Sequence, residues 1–344
     1  MSGDLLLGGG ILCPQGGTYL LAVPDEAEDD EVVICSGQRD GAVLRLTPLT
    51  DLEEIQGIIS LNAPWDAIAE ACAMTPEGEV FFLRPHAATL QTIPGAGYSR
   101  DDAKGIGRLT ALAQVGEDLV ATGYSGQVYR HPHGARGWTD ISIPVAASDA
   151  HKPVFYDLAP GPRGALVFGG SELFDMAITP DMEAANEAGD IEALMGLFTE
   201  NTGEDMMSLR LYDAGWRSAD VAGEPGAIVA LLRVTEGTLL FSETGIIYLS
   251  SDFDVIEVVY RPEQPEGFDD IKLWQGRPLL LSGNTLSVYR DTDLEPFDPP
   301  LPAGEEFCLS VSPAGDRILA VFPSHVQLFE AGAWVRLEVA LPET

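Results

Sequence analysis

Lysine is almost missing from this 344-residue chain: Lys104, Lys152 and Lys272 are its only three. Basic residues number 19 against 54 acidic ones, for a formal net charge of -35. A surface so negative repels phosphate backbones and anionic lipid. It argues against nucleic-acid and membrane partners and favours a basic protein. The same composition also fits a genome-wide or salt-related habit, because net charge bears on solubility and association rather than on fold. Long apolar runs are lacking too, and none reaches the about 20 residues of a membrane helix. The opening "MSGDLLLGGGILCPQ" has Asp4 where a secretory leader is positive, and bulky Leu12 where a lipid-attachment site needs a small residue before Cys13. Closely spaced cysteines are absent. Cys13, Cys35, Cys72 and Cys308 are far apart, and the last three sit in apolar runs, as buried free thiols of a reducing compartment do. The expected location is cytoplasmic, and the expected free state is a monomer.

What is present is a recurring phrase. "LRLYDAGWRS" (209–218) and "VQLFEAGAWVR" (326–336) each run through alternating apolar positions to an aromatic, an acid, Ala and Gly, then reach Trp216 or Trp334. "GQVYRHPHGARGWTD" (126–140) has the same frame with a longer turn before Trp138. Period-2 alternation broken by glycine reads as strand, tight turn, strand. Anchoring on the residue that ends each third strand gives Leu44, Leu90, Tyr129, Tyr212, Tyr248, Tyr289 and Phe329. Most steps are about forty residues, the length of a four-stranded propeller blade. The spacing predicts an all-β fold: residues 1–344 as one β-propeller of seven four-stranded blades. In that scheme residues 4–12 are left over and close the ring beside the last blade. The step from Tyr129 to Tyr212 is twice the usual length. There "SELFDMAI" (171–178) reads as a third strand, and Ala, Glu, Met and Leu then dominate 179–205. Thr179 and Pro180 give start signals and Ile191, Leu194, Met195 and Phe198 a helical spacing, which predicts a helical insertion in blade four.

The turns after the third strands carry a further signal. Ser250-x-Asp252 follows Tyr248, Asp291-x-Asp293 follows Tyr289, and Trp138 stands seven residues after His131. This spacing resembles the Asp-box, S-x-D-x-G-x-T-W, of BNR-type propellers, a group that includes sialidases, sortilin-like receptors and photosystem assembly factors. One unit keeps only the Trp, another only Ser and Asp, and a third only the second acid. The resemblance therefore implies an architecture and no activity. In that architecture Ser250, Asp252 and Asp293 satisfy turn N–H groups, and Trp138, Trp216 and Trp334 fill gaps between blades.

Catalytic motifs are hard to find. "YRPE" (260–263) lacks the Ile of the sialidase arginine motif, "GYSG" (123–126) reads as a hairpin turn, and "GIGRLT" lacks the third glycine of a dinucleotide loop. His131 and His133 flank a proline and read as solvated turn residues rather than a metal pair. The acidic run "PDEAEDDE" (24–31) has no glycine in calcium-loop register. One enzyme class leaves no local motif, the lactonase-like propellers with calcium at the channel mouth. Its candidates would be Glu70, Asp157, Asp270 and Asn284. The reading that follows is a non-catalytic interaction scaffold without cofactor or metal, an immunity or inhibitor protein against a basic toxin, or an assembly factor. Its expected contacts are the carboxylates of the insertion: Asp181, Glu183, Glu187, Asp190, Glu192 and Glu200. The alternative is a metal-dependent hydrolase of the lactonase-like propeller type.

Overall fold

Short antiparallel strands and tight turns make up nearly all of the described chain. The computed structural model describes residues 5–24, 31–65, 69–146, 151–174, 204–219 and 225–340 except positions 254 and 303, with Ala185, Ile191, Ala193, Met195 and Val221 besides. The chain begins with β1 (Leu5–Leu12), β2 (Thr18–Pro24), β3 (Val32–Asp40) and β4 (Val43–Leu52). Sheet 1 is β5 (Gly57–Trp65), β6 (Ala69–Met74), β7 (Glu79–Arg84) and β8 (Ala87–Thr92). Sheet 2 is β9 (Leu109–Val115), β10 (Asp118–Gly123), β11 (Val128–His131) and β12 (Thr139–Asp140). Sheet 3 is β13 (His151–Pro160), β14 (Leu166–Phe174), β15 (Met206–Tyr212) and β16 (Trp216–Ala219). Sheet 4 is β17 (Ile228–Arg233), β18 (Thr238–Ser242), β19 (Ile247–Asp252) and β20 (Val255–Tyr260). Sheet 5 is β21 (Asp270–Trp274), β22 (Arg277–Ser282), β23 (Thr285–Arg290) and β24 (Asp293–Pro296). The last strands are β25 (Ser310–Ala314), β26 (Arg317–Val321), β27 (His325–Glu330) and β28 (Ala333–Ala340).

The first strands β1, β5, β9, β13, β17, β21 and β25 each neighbour the next, and β1 neighbours β25, so they ring a central channel. This is a single all-β propeller. Second strands lie between neighbouring sheets and are covered on both faces. That is why they read as unbroken apolar runs: "TLLFS" of β18 is buried throughout. Fourth strands lie at the rim, and β8 and β20 are largely exposed. The core is correspondingly divided into layers between sheets. One layer joins Leu61, Met74 and Phe82 of sheet 1 to Leu109, Leu119 and Tyr129 of sheet 2. Another joins Leu239 and Phe241 of sheet 4 to Leu280 and Tyr289 of sheet 5.

Closure departs from the expectation of seven separate four-stranded blades. There are five separate four-stranded sheets, and the first four and last four strands form one continuous eight-stranded sheet, here called the closing sheet. Its join is parallel: Glu338, Val339 and Ala340 of β28 pair with Val43, Leu44 and Arg45 of β4, and Glu338 N donates to Ala42 O at 3.0 Å. The segment thought to be left over is β1, the innermost strand of its own set. It does lie beside β25 and β26, where Leu7 N donates to Pro323 O at 2.8 Å and Leu12 N to Ser312 Oγ at 2.9 Å. Its glycines belong to its pairing with β2. A Cβ on Gly10 would sit 2.9 Å from Tyr19 O and 2.4 Å from Leu20 Cδ2, so close pairing with β2 requires glycine there.

Two anchors of the repeat shift accordingly. Leu44 and Leu90 belong to fourth strands, β4 and β8, whereas the other five anchors lie on third strands. "SELF" of "SELFDMAI" continues β14, and the third strand of sheet 3 is β15. Most of the expected insertion, 179–205, lies outside the described residues. Ala185, Ile191, Ala193 and Met195 within it have α-helical backbone, but no α-helix is an element of the described fold. No described helix is long and apolar enough to cross a membrane.

Candidate functional site

The tryptophans of the recurring phrase sit at the rim and reach toward the preceding sheet. Trp216 of sheet 3 stacks on Phe155 at 5.9 Å and 7°, and its indole N–H donates 2.9 Å to Ile141 O, just past the last strand of sheet 2. Trp334 of β28 packs on Phe329 and Phe297 at 5.3 and 5.9 Å, and donates 3.0 Å to Pro299 O, just past sheet 5. The two acceptors occupy matching places in the fold. Trp138 differs. It meets His131 edge-on at 5.3 Å, and its buried indole N–H has no acceptor among the described residues. In the neighbouring turns, Ser250 Oγ donates to Asp252 O at 3.3 Å, Asp252 accepts from Phe253 N at 3.0 Å, and Asp293 accepts from Leu294 N at 2.8 Å.

His131 is not the solvated turn residue expected from its neighbours. It is 2% exposed, with its ring 5.1 Å from Trp65 and 5.3 Å from Trp138. The flanking proline and glycines suggested an open turn, but β11 extends through His131 and carries it inside. His133 is exposed, as expected, and its ring stands 5.2 Å from Trp65.

The four candidates for a calcium site are used in other ways. Asp157, on β13, accepts from Leu231 N of β17 at 2.7 Å. Asp270, on β21, accepts from Val311 N of β25 at 2.8 Å and from Ile271 N at 2.9 Å. Each thus ties one inner strand to the next. Between them stands Lys272, its ammonium 2.7 Å from Asp270 Oδ1 and within the field of Asp157. Its side chain keeps 44% exposure. Burial pulls the Lys272 pKa down, but the Asp270 charge and hydrogen bond outweigh it and leave the ammonium raised. Asn284 braces a loop, donating to Glu306 O at 3.0 Å and accepting from Cys308 N at 2.8 Å. Glu70 faces Tyr19 Oη at 3.4 Å. Among the described residues no three His, Cys, Asp or Glu side chains gather as metal ligands.

Burial raises the Asp157 carboxyl from 3.8 to about 6, against the opposing N–H groups of Leu231 and Leu158 and the charge of Lys272. The folded state therefore binds this proton more tightly than the unfolded state. The group's penalty is full above about pH 6 and is relieved as pH falls toward 4. Relative to Asp157→Asn, the native protein should gain about 2–3 kcal/mol in unfolding free energy between pH 7 and pH 4. Paired urea titrations across that range test this, and a pH-independent difference would refute it.

Two concavities open on the face formed by the links between second and third strands and those between successive sheets. A cleft of about 980 Å³ joins the closing sheet to sheet 1. Its lining includes Glu31, Asp51, Glu53, Glu54, Glu77 and Glu79, and among the described residues its one basic member is Arg108. Arg108 is already engaged, 3.0 Å from Glu54. A second hollow of about 500 Å³, between sheets 2 and 3, is lined mainly by apolar and aromatic residues, with Ser125 and Lys152 among them. Sequence spacing gave no sign of either, because their residues come from links far apart along the chain. The six carboxylates expected to bind a partner (Asp181, Glu183, Glu187, Asp190, Glu192 and Glu200) lie outside the described residues. In the chain their segment falls between Phe174, the end of β14, and Met206, the start of β15.

No protein-family model matches the chain, and no curated relative does either. Solved structures share its fold at low identity. PorZ, a surface component of the type-IX secretion system of Porphyromonas gingivalis, is 11% identical with a TM-score of 0.57. That alignment covers 99% of this chain but only 39% of PorZ. A chain of a mitotic checkpoint complex is 12% identical, TM-score 0.54, covering 98% and 90%. Virginiamycin B lyase from Staphylococcus aureus is 9% identical, TM-score 0.50, covering 98% and 86%. These likenesses establish the propeller fold and nothing finer.

Proposed function

We propose that the protein is a non-catalytic interaction scaffold that captures a basic protein on its loop face. The observation that carries this reading is the acidic cleft, whose described lining has six carboxylates against one already paired arginine. A focused negative field of this kind steers a cationic partner and raises its association rate. A propeller is suited to the task, because rigid sheets hold their connecting loops in place. The similar chain from a mitotic checkpoint complex shows the fold within a multiprotein assembly. On this reading the protein acts in the cytoplasm, as a monomer when free. It would be an immunity or inhibitor protein against a basic toxin such as a nuclease, or an assembly factor. The carboxylates of 179–205 would add to the same field, and the degenerate Asp-boxes would contribute architecture alone. The hydrolase alternative gains no supporting observation, since Asp157 and Asp270 are committed to backbone N–H groups and to Lys272.

The test is the association rate with the partner recovered from the native host. Raising salt from low to well above physiological strength should slow association by about tenfold or more, as the field is screened. Replacing 179–205 with a Gly–Ser linker should leave the melting curve in place and slow association further. Rates insensitive to both salt and linker would overturn the electrostatic reading.

A further inference from the structure

The apolar hollow between sheets 2 and 3 displays side chains that a soluble face ordinarily hides. Tyr98 is 64% exposed, Ile106 39% and Tyr124 38%, and all three line it. Such a cluster marks an interaction site more often than chance surface, provided the loops that carry it are held. They are held. Glu77 Oε2 accepts from Tyr98 N at 3.0 Å and Ser99 N at 2.9 Å, and Arg100 donates to Glu77 O at 3.2 Å. Asp102 accepts from Gly95 N at 3.2 Å and pairs with Arg100 at 2.7 Å. Tyr124 is seated against Gly107, where a Cβ would lie 2.4 Å from the tyrosine Cβ and where φ is +126°. Gln127 Nε2 fixes Gly107 O at 2.7 Å. The tyrosines are therefore exposed and preorganised together, which lowers the entropic cost of docking.

The same backbone separates this hollow from the acidic cleft. Tyr98 and Gly107 line the hollow, and their chain neighbours Ser99 and Arg108 line the cleft. One low ridge thus has carboxylates on one flank and tyrosines on the other. The geometry points to an extended segment of a protein partner lying across this ridge, with two or more Arg or Lys side chains in the cleft and a bulky aromatic or aliphatic side chain, a few residues along, in the hollow. The charge of the cleft selects the first part and the exposed tyrosines the second. This inference rests on the scaffold reading and places its contact.

The probe is a set of fluorescent peptides: three arginines, a two-residue spacer and Phe-Leu; the arginine half alone; the Phe-Leu half alone; and a scramble. The joined peptide should bind at least tenfold more tightly than either half. Tyr98→Ala, at an exposed position, should remove that advantage at every salt concentration while leaving the melting temperature in place. Glu31→Gln with Glu53→Gln should weaken the joined peptide at low salt and leave the Phe-Leu half unchanged. Equal binding of the joined peptide and the arginine half, or indifference to Tyr98→Ala, would overturn this placement. So would a host-derived complex of undiminished affinity in Tyr98→Ala, an outcome in which the scaffold reading survives and only its seat is wrong. A host extract that yields no complex, with the peptides still bound as described, would count against the scaffold reading alone.

Discussion

Deleting residues 1–12 is expected to abolish cooperative folding of the propeller. The deletion removes β1, whose Leu7, Ile11 and Leu12 are 3%, 6% and 2% exposed. Leu7 and Leu12 belong to the core of the closing sheet, and Ile11 to the layer shared with sheet 1. Truncating a buried Leu or Ile costs about 2–5 kcal/mol, so three together rival the about 5–15 kcal/mol that holds a typical domain. The ring is opened as well. Pro323 O and Ser312 Oγ lose their donors, and the inner edge of β2 loses its partner. Calorimetry should show no sharp transition where the intact chain has one. Leu12→Ala supplies a graded check, with an expected loss of about 2–5 kcal/mol. A deletion variant that melts sharply within a few degrees of the intact protein would mean that β1 is dispensable and the ring does not depend on it.

Trp216→Ala and Trp334→Ala should each cost about 3–5 kcal/mol, the usual range for removing a packed aromatic. Both rings fill a gap between sheets, and both indoles satisfy a carbonyl of the preceding sheet, so each truncation loses packing and leaves Ile141 O or Pro299 O without its donor. Trp216→Phe should recover most of the loss, because the stack on Phe155 survives, and fall short by about 1 kcal/mol for the missing hydrogen bond. Trp138→Ala should cost less than either, since its buried N–H is unsatisfied already. Urea titration of the three alanine variants gives the ranking. A Trp138→Ala penalty equal to or larger than the others would contradict the argument from the matching acceptors.

The repeat was legible wherever a unit kept its sequence punctuation. In sheets 4 and 5 the stretches "AIVALLRV", "TLLFSE" and "IIYLSS", and "DDIKLWQG", "RPLLLSG" and "NTLSVYRD", each carry one strand, and glycine-containing turns separate these apolar runs at even spacing. Near the start of the chain the same logic slipped by one strand. There "EVFFLR" reads as a second strand and "AATLQT" as a third, but they are β7 and β8, and their distance from the rim, invisible in sequence, is what tells them apart. Counting then set β1 beside the last blade rather than at the head of its own strand set. The parallel join of β28 to β4 could not be read at all, since it depends on the twist that brings two distant rim strands side by side. The site was less legible than the fold. Glu31, Glu54 and Glu77 belong to separate links, and they line one cleft only because the first strand set packs beside sheet 1.

That parallel join has a bearing on how copies of the molecule tolerate one another at high concentration. The rim strand of each separate sheet offers unpaired N–H and C=O groups, an invitation to another chain's edge. Nearly all the invitation is kept short: β12 has two residues, β16 and β24 four each, and β8 and β20 six. The longest rim strands are β4, with ten, and β28, with eight. These are the two that pair with each other, over Val43–Arg45 and Glu338–Ala340. The edges best able to template edge-to-edge stacking thus spend part of their length inside the molecule, and a charge of -35 keeps copies apart at the shorter ones.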